Sequence, residues 1–461
     1  MNINERIVGL DIGTTKIACF IGERKENGKV RILGFGKTES VGVQSGVVLN
    51  VLETARSIER AVDAASEMAK CSVREVYVGV AGQHIKNLSN TGSIMVPDDH
   101  SLIEESDVQQ LIDDQYRIML APGEEIIHVF PQSYSVDNEE LSPTINPIGV
   151  AGRCLKANFH IVTGNADNVR KIHDAVRRAG LEIKGVILEP IASSLAVLDD
   201  RDKEAGVALV DIGGGTTDIA IFKGGVIRHT SVIPLAGDAI TQDIHRGCQI
   251  LRPQAESLKT KFGSCVPTMV NQDDIVSIPS IRNLPAREIS VRLLAEIIKG
   301  RTEQILEQVQ YEIEESGYGR QLGAGIALTG GGSRLQNIKD FSEFTIGIDT
   351  RIGIPDEHLD QQGGVAIGDL SHPMYATGIG LVIYGLLESE KNASLGSRQE
   401  EEEVEIEEAV EQENTTPVDS VEEQSQEREK ETPSKKKSKH SWFESMTKWL
   451  EEKFTDPDLG E

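Results

Sequence analysis

Residues 7–36 read IVGLDIGTTKIACFIGERKENGKVRILGFG, and residues 207–237 read VALVDIGGGTTDIAIFKGGVIRHTSVIPLAG. Both stretches begin with an apolar strand that ends in Asp-Ile-Gly and then turns through glycine and threonine. A second apolar strand, a glycine-containing turn and a third strand follow in each. An internal repeat of this kind indicates two copies of one domain. The sequence therefore predicts a pair of similar α/β domains.

The chain has the composition of a folded protein up to about residue 390. Its 461 residues are 38% hydrophobic, and short β-branched runs alternate with longer helical patterns, which is typical of an α/β fold with buried strands. Five cysteines without a CxxC pair fit neither a disulfide framework nor a zinc site. We expect a protein of the reducing cytoplasm, without a signal peptide or a membrane-spanning segment.

The end of the chain differs in character. Residues 396–434 contain fifteen acidic and three basic residues, which supplies −12 of the total formal charge of −27. This acidic stretch has few large apolar residues, so we predict a disordered linker. The acidic total also argues against nucleic acid as a partner.

A short helix is predicted after the linker, over residues 441–454. Four lysines precede it, and its apolar side chains fall on one face with glutamates opposite. We predict that this amphipathic helix binds an anionic membrane surface, with docking on a protein as the alternative. The predicted membrane-binding residues are Trp442, Phe443, Met446, Trp449, Leu450 and Phe454.

Each Asp-Ile-Gly turn has the residues that a phosphate chain and a magnesium ion require. Glycines bring backbone N–H groups close to an oxygen, threonine hydroxyls donate hydrogen bonds, and a lysine adds positive charge. The two aspartates would be repelled by phosphate unless Mg²⁺ and its waters lie between them. The predicted residues are Asp11, Gly13, Thr14, Thr15, Lys16, Asp211, Gly213, Gly214, Gly215, Thr216 and Thr217, with Asp11 and Asp211 as the metal-binding pair.

A third glycine-rich element, ALTGGGSRL, spans residues 327–335. Gly330, Gly331 and Gly332 would let the backbone lie flat against a base or ribose. We expect a helix to begin at Ser333 and to direct its N-terminus at the ligand.

These three elements, in this order, resemble the actin-like ATPase superfamily, over nearly all of residues 5–388. The resemblance implies an actin-like fold of two ribonuclease-H-like domains with ATP held between them. It identifies the two Asp-Ile-Gly turns as phosphate loops and the third element, with Ser333 and Arg334, as the adenosine motif. It also implies that Glu256 and Lys259 approach the nucleoside.

The same resemblance identifies two connecting helices, one in ILEPIAS (187–193) and one from Pro373. In the first, Glu189 is the candidate for positioning an attacking water, and a capping or hinge role is the alternative. The resemblance implies ATP binding and at most weak ATPase activity.

Within the superfamily, the chain is most similar to the FtsA family. Residues 76–96, 124–137 and 146–164 resemble the subdomain, called 1C, that this family carries in place of the usual actin insertion, and a long linker and a final amphipathic helix are also shared. The resemblance implies a filament-forming division protein. Its expected partners are the C-terminal peptide of FtsZ, further copies of itself, the anionic surface of the inner membrane and other division proteins at the septum.

The expected domains follow from these assignments. They are domain 1 at 1–83 and 164–205, the 1C subdomain at 84–163, domain 2 at 206–372 with an insertion at about 240–310, the second connecting helix at 373–390, the linker with its basic end at 391–440, and the amphipathic helix at 441–454. Two alternatives remain at this point: an actin-like kinase or phosphatase of a small substrate, and an actin-like ATPase of pilus assembly.

Overall fold

The computed structural model describes residues 5–393 apart from 98–101, 143–144, 280–285, 357, 361–364 and 366. Residues up to 386 belong to one compact unit, and a second unit begins at Leu387. Of the second unit, only residues 387–393 are described, and they are helical. The acidic linker from residue 394 and the predicted amphipathic helix at 441–454 therefore lie outside the described residues.

The described strands are, in chain order, β1 (Ile7–Ile12), β2 (Lys16–Arg24), β3 (Val30–Glu39), β4 (Val43–Gln44), β5 (Val47–Val48), β6 (Glu75–Val80), β7 (Lys86–Met95), β8 (Glu124–Val136), β9 (Glu139–Glu140), β10 (Cys154–Asn165), β11 (Glu182–Leu188), β12 (Val207–Ile212), β13 (Thr217–Lys223), β14 (Val226–Ile233), β15 (Ile275–Ile278), β16 (Arg287–Ser290), β17 (Ile326–Thr329) and β18 (Thr350–Ile352).

The described α-helices are α1 (Val51–Ala69), α2 (Glu105–Gln115), α3 (Ala166–Arg178), α4 (Glu189–Val197), α5 (Asp200–Ala205), α6 (Gly237–Cys248), α7 (Arg252–Phe262), α8 (Val291–Glu315), α9 (Ile338–Ile346), α10 (Ile367–Leu370) and α11 (376–393).

Two five-stranded sheets have the same topology, which confirms the predicted duplication. The first has the order β3-β2-β1-β6-β11, and the second has the order β14-β13-β12-β17-β18. In each sheet three antiparallel strands are followed by two parallel ones. The central strands β1 and β12 are buried along their whole length, as expected for strands covered on both faces.

A separate antiparallel sheet is formed by the part of the chain between β6 and β11, two strands of the domain 1 sheet. Its order is β7-β10-β8-β9, and α2 packs on it through Val108 and Leu111. Phe159 on the central strand β10 belongs to the same hydrophobic core. This sheet and α2 form the insertion subdomain, whose elements run from Lys86 at the start of β7 to Asn165 at the end of β10.

Domain 2 has its own insertion, in which α6, α7 and α8 pack beside the two-stranded sheet β15-β16. Leu294, Ile298 and Leu306 on α8 are buried in the core of domain 2. The 25-residue helix α8 therefore extends that core rather than forming a separate one.

The two connecting helices approach each other very closely. A Cβ added at Gly380 of α11 would lie only 1.8 Å from the carbonyl oxygen of Ala192 on α4. Glycine at this position lets the two backbones approach without a side chain between them. Residues 376–393 are helical, so α11 extends three residues beyond the predicted end of the second connecting helix.

The prediction of a helix beginning at Ser333 was wrong. Residues Gly332–Arg334 form a single 3₁₀ turn, and α9 begins at Ile338. Between them the chain is extended because Gln336 pairs with another segment: its N–H donates to Gly263 O at 3.1 Å, and its carbonyl accepts from Cys265 N at 2.9 Å. This long-range pairing outweighs the local preference for a helix.

No helix among the described residues combines the length and apolar character needed to cross a bilayer.

Two helical glycines allow a matched test of the packing between the connecting helices. Gly380→Ala should lower the free energy of unfolding by about 1–3 kcal/mol, because a methyl group cannot fit against the Ala192 carbonyl. Gly300→Ala on α8, where an added Cβ meets nothing within 4 Å, should raise it by roughly 0.5–1 kcal/mol. Urea unfolding followed by circular dichroism measures both. Equal effects of the two substitutions would contradict the close packing.

Candidate functional site

The two Asp-Ile-Gly turns have the same local geometry and face each other. Gly13 N donates to Lys16 O at 3.0 Å, and Gly213 N donates to Thr216 O at 2.9 Å. A Cβ added at Gly215 would lie 2.3 Å from Thr14 Oγ1. The turns from the two domains therefore meet directly, and glycine is required where they touch.

A Cβ added at Gly214 would likewise lie 2.5 Å from Thr15 Cγ2. The structure thus brings Gly214 and Gly215 of one turn together with Thr14 and Thr15 of the other. The hydroxyls of Thr216 and Thr217 bond within domain 2 instead, to Asp218 Oδ2 at 2.9 Å and to Leu235 O at 2.7 Å.

Asp11 is paired within its own domain. It is buried at the end of β1 and forms an ion pair with Lys16. Burial alone would lower the pKa of Lys16, but the charge of Asp11 and its hydrogen bond outweigh burial and raise that pKa. The lysine is therefore charged at any physiological pH.

Asp211 is held by the two connecting helices rather than by a cation. Ser193 Oγ on α4 donates to Asp211 Oδ2 at 2.7 Å, and Thr377 Oγ1 on α11 lies 3.3 Å from the same oxygen. The two hydroxyls are 3.0 Å apart. Burial raises the pKa of Asp211, whereas the hydrogen bond from Ser193 lowers it. Both hydroxyls were missed by the sequence analysis, because α4 and α11 meet only in the folded chain.

Asp218 is a third buried carboxylate that the sequence analysis missed. It lies opposite Asp211 in the β12–β13 pair, and its Oδ2 accepts a hydrogen bond from Thr216 at 2.9 Å. In the described part of the chain, its Oδ1 is buried and has no hydrogen-bond partner. Burial and the charge of Asp211 raise the pKa of Asp218 to about 8. The final Asp of the stretch DIGGGTTD was the signal that could have identified it.

Glu189 completes the acidic cluster. As the first residue of α4 it is only partly exposed, and a Cβ added at Gly79 would lie 2.9 Å from its Cγ. Burial raises the pKa of Glu189 well above its usual range, and the charges of Asp11, Asp218 and Asp211 raise it further. Four carboxyl groups therefore repel one another in this cleft.

The chemistry of this cluster suits a hydrated magnesium ion. Oxygen ligands and a strong local excess of negative charge favour a hard divalent cation, and Asp218 Oδ1 is unpaired. Among the described residues, no three His, Cys, Asp or Glu side chains are close enough together to bind a metal ion directly. A magnesium ion usually keeps several waters and takes one or two carboxylates plus phosphate oxygens.

The third glycine element lies beside Asp211. Gly330 has φ +83°, and an added Cβ would lie 2.2 Å from Asp211 Oδ1. A Cβ at Gly332 would lie 2.3 Å from Ile212 Cγ2. Two of the three glycines are therefore needed for packing against the end of β12, while Gly331 is exposed, with nothing within 4 Å of an added Cβ.

Ser333 and Arg334, the remaining residues of this element, also differ in their exposure to solvent. Ser333 is buried and donates to Gly330 O at 2.8 Å, so it stabilises the turn. Arg334 is exposed, and its charge contributes to lowering the pKa of the neighbouring Lys37 and His372, although burial is the larger cause for both.

Glu256 and Lys259 are connected to the second turn through α6. Lys259 Nζ donates to Gly237 O and to Thr241 Oγ1, both at 2.8 Å, and pairs with Glu256 at 2.7 Å. Gly237 N in turn donates to Gly213 O at 3.1 Å. The pair therefore lies near the second turn, on the domain 2 side of the cleft.

A hairpin that the sequence analysis passed over also reaches the turns. The hairpin joins β4 to β5, and the N–H of Gly46 at its tip donates to Thr14 Oγ1 at 3.1 Å. A Cβ added at Gly215 would lie 2.8 Å from Ser45 Cα. The stretch GVQSG, whose glycines 42 and 46 both have positive φ, was a turn signal that could have drawn attention to it.

The six predicted membrane-binding residues lie outside the described residues, so the structure neither supports nor opposes that prediction.

Comparison with known proteins adds three family matches. The profile described as "Cell division protein FtsA" matches residues 208–380, and "SHS2 domain inserted in FTSA" matches residues 82–163. The Hsp70 protein profile matches residues 165–232.

The chain is also similar to curated proteins along most of its length. It is 37% identical over 389 residues to Cell division protein FtsA of Pseudomonas aeruginosa, which covers 84% of this chain and 91% of that protein. It is 34% identical over 387 residues to Cell division protein FtsA of Escherichia coli (strain K12), with 82% and 90% covered.

Among solved structures, the "PilM-PilN type IV pilus biogenesis complex" superposes with a TM-score of 0.60 at 15% identity, covering 82% of this chain and 98% of that chain. This likeness concerns the fold alone. Together with the Hsp70 match and the duplicated sheets, it confirms the predicted actin-like fold.

The repulsion within the cluster predicts how stability depends on pH. Because the pKa of Asp218 is raised in the folded protein, stability should fall as pH rises from about 4 to about 8 in the absence of metal and nucleotide. Asp218→Asn should remove part of this dependence. The free energy of unfolding of the variant, relative to that of the wild type, should therefore rise by about 1–2 kcal/mol between about pH 6 and pH 8. Urea unfolding in EDTA at several pH values measures this difference. Asp63→Asn, at an exposed position of α1, is the control, and parallel pH profiles of Asp218→Asn and wild type would contradict the assignment.

Proposed function

The chain belongs to the FtsA family of cell division proteins, and we propose that it is an ATP-binding, filament-forming adaptor that attaches FtsZ filaments to the cytoplasmic face of the inner membrane at the septum. The observation that carries the nucleotide part of this proposal is the pair of facing glycine turns beside the four carboxyl groups of Asp11, Glu189, Asp211 and Asp218.

We propose that the two turns bind the phosphates of ATP. The backbone N–H groups near Gly214 and Gly215, and the hydroxyls of Thr14 and Thr15, are the donors closest to the meeting point of the domains. The turns are in direct contact, so a phosphate chain between them requires the domains to separate slightly. A nucleotide bound there would therefore favour a particular angle between the domains.

We propose that Mg²⁺ binds through water to Asp11 and Asp211, and that Glu189 faces the same ion. A bound cation would supply positive charge that offsets the repulsion among the carboxyl groups. Asp211 is already oriented for this role by the hydroxyls of Ser193 and Thr377. Pre-oriented ligands of this kind strengthen metal binding.

For hydrolysis we propose Glu189 as the residue that orients a water. Burial raises the pKa of Glu189 in the metal-free site, and the charges of Asp11, Asp218 and Asp211 raise it further. We propose that turnover of ATP at this site is slow at most.

The membrane part of the proposal is supported by the sequence of residues 394–461. A helix over 441–454 would be about 20 Å long, too short to span a bilayer but suited to lie in its interface. The linker, as a coil of 39 residues, would have an end-to-end distance of roughly 35 Å. One such tail would bind reversibly, and a filament would bind firmly because its linked tails raise the effective concentration.

The FtsZ part of the proposal is supported by family membership. Arg287 on β16 and Arg301 on α8 are basic residues with the charge needed to bind an acidic peptide. Arg287 donates to Gln249 O at 3.1 Å, and Arg301 pairs with Asp243 at 2.6 Å, so these two arginines stabilise domain 2 instead. The curated relatives matched along most of the chain are cell division proteins, which favours the adaptor over a kinase, a phosphatase or a pilus-assembly ATPase.

Asp211→Ala tests the nucleotide site. It should weaken binding of Mg-ATP at least about 100-fold, since one of two charged groups facing the metal is lost. The fold should survive, because Ser193 and Thr377 are close enough to bond to each other. Calorimetry gives the affinity, circular dichroism checks the fold, and Asp63→Ala is the surface control. Unchanged affinity in a folded Asp211→Ala protein would refute the site.

Trp442→Glu combined with Trp449→Glu tests the adaptor. The wild type should carry purified FtsZ into the pellet with anionic vesicles, and FtsZ without its C-terminal peptide should stay in solution. The double variant should leave the vesicles yet still bind FtsZ and ATP, because only apolar contacts with lipid are removed. Continued co-sedimentation of the double variant would show that the tail is not the anchor.

A further inference from the structure

A buried histidine of the insertion subdomain contacts the start of the helix that carries Glu189. His128 lies on β8, and its Nε2 accepts a hydrogen bond from the backbone N–H of Leu188 at 3.0 Å. Leu188 is the last residue of β11, an edge strand of the domain 1 sheet. At this edge of the sheet the Leu188 N–H donates to the imidazole of His128, which serves as the acceptor that a strand carbonyl would otherwise provide.

The first turn of α4 depends on this contact for its position. Leu188 is the N-cap residue, and no side chain caps the helix. Glu189 follows directly, and then Pro190, which has no N–H to anchor. One turn further on, Ser193 donates to Asp211. The hydrogen bond from Leu188 to His128 therefore helps to fix the N-terminal end of α4, where Glu189 lies.

The histidine itself is held rigidly. Its ring is buried and lies 5.3 Å, centroid to centroid, from the ring of Phe130. Four residues along the same strand, Gln132 Nε2 donates to Arg228 O of β14 at 2.9 Å, and Arg228 Nη1 donates back to Gln132 O at 2.9 Å. Strand β8 is thus bonded to domain 1 at His128 and to domain 2 at Gln132.

We propose that His128 is a positioning residue for Glu189, through which the insertion subdomain sets the arrangement of carboxylates that faces magnesium in the cleft. This inference rests on the proposed binding of Mg-ATP. It assigns the insertion subdomain a role in the nucleotide site, exerted through β8 and the start of α4.

The test separates the metal-dependent part of ATP affinity from the rest. Calorimetry of the full chain gives the Kd of ATP in EDTA and the Kd with Mg²⁺, and the first value divided by the second is the ratio that reports how much the metal contributes. His128→Gln places an amide oxygen near the position of Nε2 and should keep the wild-type ratio of the two values. His128→Leu removes the acceptor and should reduce the ratio about tenfold, with the Kd in EDTA within about twofold of wild type.

Two further variants keep the test decisive. His128→Asn retains a polar group near the position of Nδ1 but cannot reach Leu188, so it should behave as His128→Leu even if the leucine variant fails to fold. In a Glu189→Gln background, His128→Leu should cause no further change in the ratio, because the positioned carboxylate is gone.

His160→Leu is the matched control. His160 is buried on the adjacent strand β10 and bonds to Thr230 Oγ1 at 2.9 Å rather than to α4, so its loss should leave the ratio unchanged. The inference is overturned if the His128 and His160 variants change the ratio equally, or if His128→Leu and His128→Asn both keep the wild-type ratio. A wild type that does not bind Mg-ATP refutes the proposed function, and this inference fails with it.

Discussion

Crowding of negative charge in one cleft is the constraint on which the site depends. Burial and the charges of neighbouring carboxylates raise the pKa of Glu189, Asp211 and Asp218, and Lys16 is the cation that the structure pairs with the fourth carboxylate, Asp11. Each domain contributes an aspartate at the end of its central strand, and the connecting helix α4 contributes Glu189. Folding therefore concentrates charge that separate domains would keep apart, and a divalent cation with its phosphate ligands is the chemistry that such a cluster suits.

Close approach of backbones makes this concentration possible. Gly215 meets Thr14 across the cleft, Gly330 meets Asp211, and Gly380 meets Ala192 between the connecting helices. A Cβ at any of these three positions would come within 2.5 Å of its neighbour. Gly215, which the sequence analysis identified as a phosphate-binding residue, thus has a second role, because it sets how near the two turns can lie.

The site also depends on parts of the chain that carry none of its chemistry. The β4–β5 hairpin donates to Thr14 from Gly46, and β8 of the insertion subdomain accepts from Leu188. Gln132 and Arg228 join that subdomain to the edge of the domain 2 sheet. The angle between the domains is therefore held by more than the two connecting helices. A change in the insertion subdomain can for this reason alter the arrangement of the residues in the cleft.

The sequence by itself determined the duplicated α/β architecture, because alternation of apolar residues and glycine-rich turns are local signals, and the resemblance of its three glycine elements to actin-like ATPases implied the actin-like fold. It did not reveal that Ser193 and Thr377 hold Asp211, that Asp218 and Glu189 share one acidic cluster, or that residue 333 begins no helix. Each of these depends on residues far apart in the chain, as when Gln336 pairs with Gly263 and Cys265 between the 3₁₀ turn and α9. Hydrogen bonds and charge repulsion act through space, and only the tertiary structure brings their partners within reach.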